Sequence, residues 1–117
     1  MRCIVQPDRV GCEASGPGST GFPQAPISLP ESQCLNPCPG GIHFDIANVT
    51  ASGAFSWMDG NIGGAGPDWA QTDATLSYGQ TYHILGWTIL PSTDGTRFTN
   101  DGTGHGMFVS IENVSSF

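Results

Sequence analysis

The chain has 117 residues, three Arg, no Lys and ten carboxylates, for a formal charge of −7. That length suits one domain with one core, and the charge repels phosphate backbones and anionic lipid surfaces. Nucleic-acid binding and polybasic membrane attachment are therefore disfavoured. No apolar run approaches the roughly 20 residues that span a bilayer, and the N-terminus lacks the apolar stretch of a signal peptide. Four cysteines in a short chain rich in Gly and Pro favour two disulfides, hence an oxidising, extracytoplasmic setting. Met1, two residues before a cysteine, is then read as a start placed where an export signal has been removed.

The opening segment reads as a hairpin, with Ile4, Val5, Val10 and Gly11 flanking the turn signal Pro7, Asp8. Counting from that turn sets Gln6 opposite Arg9, Val5 opposite Val10, and Cys3 opposite Cys12 on one face. The cysteines fall on a non-hydrogen-bonded pair, within disulfide reach, so Cys3–Cys12 is expected. Pro7 cannot take the positive φ of a type I′ turn, which leaves room for a longer loop. Residues 13 to 41 sustain neither apolar period and read as a long surface loop. Cys34–Cys38 closes a short ring that staples it, with Cys12 to Cys34 as the open alternative.

From residue 42 the pattern is strand after strand. Ile42, Phe44 and Ile46 alternate with His43 and Asp45, and residues 54–57 follow a short turn to make a hairpin. Residues 58–73 are a loop. Residues 74–90 supply two or three strands broken at Gly79 and Gly86, and residues 91–96 give a turn. Strands over 96–100 and 107–111 flank a glycine-rich loop, before a short tail. No segment carries helical periodicity, so the expected fold is a single all-β domain over 1–117, a small antiparallel barrel or two-layer sandwich of about eight short strands, stapled by disulfides. Its expected core is Val5, Val10, Phe44, Ile46, Phe55, Trp57, Ile84, Trp87, Ile89, Phe98, Phe108 and Ile111.

The C-x8-C hairpin, the L-x-Y-G at Leu76 to Gly79 and the run TNDGTGHGMFVSIENV resemble an uncharacterised family of secreted or lipid-anchored actinobacterial proteins, common in mycobacteria. The resemblance covers most of the chain outside 13–41 and is most specific over 76–113. It brings no established activity. Many members carry a further cysteine pair, nine residues apart, on the hairpin before the T-G-H-G loop. Here Ile89 and Phe98 hold that separation around Thr93 and Asp94, so the resemblance implies an apolar cross-strand pair in place of that disulfide.

His105, between Gly104 and Gly106, is the candidate catalytic residue, since an imidazole among glycines can approach a ligand and titrates near neutrality. The opposing reading is a ring packed at a turn with a nitrogen on a backbone carbonyl. A triad of His105, Ser110 and Asp94 or Asp101 can be assembled, without a nucleophile elbow to support it. Asp45, Asp59, Asp68 and Asp73 offer carboxylates without a distinguishing environment. Cys34, Cys38 and His43, with His83 or His105, have zinc-like donors, but thiols in an oxidising compartment pair with one another. Asp59, Asn61, Asp68 and Asp73 lack EF-hand spacing. No metal and no cofactor are expected.

Trp69 beside Asp59, Asn61 and Asp68 is a candidate sugar-binding group, with Trp57 and Trp87 read as core. The sequons at Asn48 and Asn113 match glycosylation acceptors and equally suit strand ends. The leading expectation is a secreted cell-envelope binding or interaction module for an unknown glycan or protein, with loops 59–66 and 102–106 as contact surfaces. The alternatives are a hydrolase using His105 and a glycan-binding domain using Trp69.

Overall fold

The computed structural model describes residues 2–14, 21–35, 38–60 and 75–117. Among these residues eleven short strands run in chain order: β1 Arg2–Gln6, β2 Arg9–Glu13, β3 Ile27–Leu29, β4 Ile42–His43, β5 Ile46–Thr50, β6 Phe55–Met58, β7 Tyr82–Ile84, β8 Trp87–Ser92, β9 Gly95–Asn100, β10 Gly106–Val109 and β11 Val114–Ser116. They form a four-stranded sheet, β1-β2-β5-β6, a five-stranded sheet, β11-β10-β9-β8-β7, and the small pair β3-β4. All pairings are antiparallel. Among the described residues the two large sheets do not join into a closed barrel. The two-layer arrangement holds instead.

Register explains the core. In the first sheet, Val5, Val10, Val49 and Phe55 lie in one row across the four strands, and Cys3, Cys12, Ala47 and Trp57 in the next. In the second, Tyr82, Ile89, Phe98 and Met107 make a matching row. Because side chains alternate, each of these rows presents one face, and both sheets contribute to a single apolar cluster. The Cys3–Cys12 disulfide lies within that cluster at the register counted from the turn. Ile89 pairs with Phe98 across the β8–β9 turn, both buried, so an apolar pair fills that position. Cys34 is joined to Cys38.

Several expectations need correction. Ile111 is exposed, because Ser110 and Asn113 close a turn there and residue 111 points away from the core, and Phe108, also expected in the core, lies in the row of Arg97 and Leu90 on the opposite face. The strand expected across 42–46 breaks at Phe44 and Asp45, so the inward face of β5 is Ala47 and Val49, while Ile46 is buried on the opposite phase. The stretch 13–41 is more than a surface loop. Phe22 is fully buried, its ring 5.5 Å from that of Trp57, and its N–H donates to Phe44 O at 3.1 Å. Gln24 acts as an extra rung on the outer edge of β11, donating from Nε2 to Val114 O and accepting from Val114 N. The short tail forms β11, with Gln24 and β10 satisfying it on both sides.

Among the described residues Trp87 is the largest fully buried side chain, and its indole N–H donates to Gln6 O across the sheets at 2.9 Å. Trp87→Ala is expected to cost about 3–5 kcal/mol, the range for emptying an aromatic core site, while Ile111→Ala changes stability by under about 0.5 kcal/mol. Denaturant melts of the two variants check both values.

Candidate functional site

The glycine-rich loop at 101–105 links β9 to β10 and folds back onto the other sheet. Asn100 organises it: its side-chain Oδ1 accepts from the N–H groups of Gly102 and Thr103 at 3.0 and 3.1 Å. Thr103 Oγ1 then donates to Ala51 O, in the β5–β6 turn. The His105 ring lies against Gly53 of that same turn, where a Cβ would come within 2.7 Å of Nδ1. His105 Nδ1 is 3.2 Å from Phe117 O, and Gly106 and Phe117 exchange two backbone hydrogen bonds. Gly106 fits because any side chain there would collide with the Phe98 carbonyl. These contacts make the loop a clasp between sheets.

The groups assembled on paper as a triad have separate partners. Asp101 Oδ1 accepts from Thr88 Oγ1 at 2.5 Å. Ser110 Oγ is held by Asn113, bonding its carbonyl at 3.1 Å and its N–H at 3.0 Å. Asp94 and Ser110 do share an open depression of about 370 Å³ with Thr93, Ile111 and Glu112, and His105 is not part of its lining. His43 Nδ1 contacts Ala25 O at 2.5 Å, and His83 Nδ1 contacts Thr88 Oγ1 at 3.2 Å. Among the described residues no three His, Cys, Asp or Glu side chains gather as a metal-binding group. The Cys34 and Cys38 thiols are consumed by their disulfide.

Of the sugar-binding candidates, Asn61, Asp68 and Trp69 lie outside the described residues, as does Asp73. Asp59 is exposed beside Asp45. Partial burial pushes the Asp45 carboxyl above its ordinary value and the charge of Asp59 adds to this, against the Gly60 N–H donating to its Oδ1 at 3.1 Å. Trp57 is half-buried against the core and Trp87 wholly so. Asn48 is buried with its Oδ1 accepting from Arg9 Nη1 at 2.6 Å, so the first sequon is closed to modification in the folded chain. Asn113 is exposed.

A surface that the sequence reading missed lies on the outer face of the five-stranded sheet. Register sets Leu90, Arg97, Phe108 and Ser115 in one row opposite the core side. Arg97 stacks its guanidinium 4.0 Å from the centre of the Phe117 ring, and Leu90 is 42% exposed. The alternation of β8 and β9 could have found it.

No family model, curated protein or solved structure matches this chain.

Two outcomes follow from these contacts. Gly53→Ala should destabilise by about 1–3 kcal/mol, from overpacking and its φ of +94°, and adding His105→Ala should recover part of that loss in a double-mutant cycle. Asp45 has a folded-state pKa above its unfolded one, so it opposes folding once ionised, and that penalty disappears as pH falls through the folded value. Asp45→Asn should accordingly raise the melting temperature at pH 7 and make no gain at pH 3, as melts at the two pH values would show.

Proposed function

We propose that this domain is a secreted or envelope-anchored binding module whose ligand is a cell-envelope glycan or protein. The observation that carries this reading is the row of Leu90, Arg97 and Phe108 on the outer face of the five-stranded sheet, with Phe117 under the guanidinium. An aliphatic side chain, aromatic rings and a preorganised cation on a flat sheet suit a sugar or side-chain face carrying negative charge. The loop at 102–106 is held in place by its contacts to the β5–β6 turn.

Two disulfides support an oxidising compartment, and the resemblance to secreted actinobacterial proteins agrees with it. A hydrolase using His105 draws less support, since Nδ1 is taken up by the Phe117 carbonyl and Ser110 is bonded to Asn113. The glycan site built on Trp69 remains an expectation of the sequence alone.

Co-sedimentation of the purified domain with an insoluble bacterial cell-wall fraction tests the reading. Arg97→Ala should weaken association about tenfold, the loss of roughly 1.4 kcal/mol, while His105→Ala leaves it within twofold. Association indifferent to Arg97 would remove the outer face as the contact surface.

A further inference from the structure

The two disulfides occupy opposite settings. Cys12 is fully buried, Cys3 packs beside it, and both belong to the apolar cluster to which the two sheets contribute. Cys34 and Cys38 lie in the connection from β3 to β4, and among the described residues neither packs in that cluster. Cys34 is half-buried, whereas Cys38 is 8% exposed. Leu35, next to Cys34, is wholly exposed, which leaves its apolar side chain to solvent.

Each half of the ring is also held without the sulfur bond. A 3₁₀ turn over Glu31–Gln33 carries Cys34, with Gln33 N–H donating to Pro30 O at 2.9 Å and Cys34 N–H to Glu31 O at 3.3 Å. On the other side Gly41 N–H donates to Cys38 O at 2.8 Å. Glu31 Oε2 accepts from Gly40 N–H at 3.3 Å and so ties the two halves together. Cys34 Sγ lies 3.7 Å from Pro30 O, an acceptor already in place for a thiol. Opening the bond uncovers no core and leaves both sulfurs anchored.

We propose that Cys34–Cys38 is a thiol–disulfide exchange site whose partner is a dithiol protein of the C-x-x-C kind, while Cys3–Cys12 is structural. This site is independent of the outer sheet face. An incoming thiolate attacks the sulfur it can reach, and the exposures make that Cys34. A bond forms between the partner's sulfur and Cys34 Sγ, the Cys34–Cys38 bond breaks, and Cys38 leaves as a thiolate that takes a proton from water. The partner's second thiolate then attacks its own sulfur in the mixed disulfide and releases Cys34, which is protonated in turn. Two electrons and two protons pass to this chain, and the partner leaves as a disulfide. Closing a sequence separation of 4 restrains the unfolded chain less than closing the separation of 9 between Cys3 and Cys12, so the fold loses less when this bond opens. Glu31 and the net charge of −7 oppose a small anionic thiol. Burying Leu35 against an apolar surface of a protein partner holds the reacting sulfurs together instead.

Reduction of the full chain by graded dithiothreitol, followed by acid quenching, alkylation and peptide mass mapping, tests the site. Cys34 and Cys38 should label together at a concentration at least about tenfold below the one that opens Cys3–Cys12. The half-reduced chain should keep a cooperative melt, and the pair should re-form when reductant is removed. With reduced thioredoxin as the C-x-x-C probe, Leu35→Ser should slow reduction at least about fivefold while the rate with dithiothreitol stays within about twofold. Leu35 is wholly exposed, so the variant folds as the parent does. Reduction of both disulfides together, or a Cys34–Cys38 bond that outlasts Cys3–Cys12, would overturn the exchange site. Thioredoxin rates indifferent to Leu35 would overturn the protein partner.

Discussion

The hydrogen bond from the buried Trp87 indole to the half-buried Gln6 carbonyl sets how the two sheets meet. An indole N–H removed from water without a partner would be costly, and Gln6 is the last residue of β1 before its turn. Meeting that requirement fixes the Arg9 hairpin against β8. The Asp8 carbonyl on the hairpin's turn then accepts from Ala51 N–H, and the Ala51 carbonyl accepts from Thr103. A chain of short contacts thus runs from the first turn of the protein to its glycine-rich loop. At the other end of β10, the Gln24 amide bonds both backbone groups of Val114.

This arrangement changes what the glycines of the T-G-H-G segment mean. Gly106 has no side chain because the Phe98 carbonyl occupies that space, and Gly53 has none because His105 lies there. The close approach expected of a ligand is made by the protein's own backbone. His105 therefore contributes packing and one contact to Phe117, and the groups left facing outward are those of the five-stranded sheet. The proposed binding role rests on that face.

Much of the fold was legible where a turn anchored a count. The register from Pro7 and Asp8 placed Cys3 against Cys12, whereas the pairing of Ile89 with Phe98 was expected from the resemblance. Counting failed where the chain shifts phase without a turn residue, as at Asp45 between β4 and β5. Phe22 was hidden because a buried aromatic within a Pro- and Gly-rich stretch has no periodic neighbours. The three-residue β11 was too short to alternate, and its stability comes from Gln24, 90 positions away. The pairing of His83 with Thr88 could have been counted from Gly86, which was read only as a break. Asp101 joins them through the fold of the loop, which no local pattern records.

Native-state hydrogen exchange is the most direct measurement of the clasp between the sheets. The Asn100 N–H donates to His105 O at 2.7 Å and the Gly104 N–H to Asn100 O at 2.8 Å, both within the docked loop. The account predicts that these amides exchange with protection approaching that of Val10 and Ile89, and that Thr103→Val lowers it without unfolding the sheets. Exchange at free-peptide rates in the wild-type loop, with the core still protected, would contradict it.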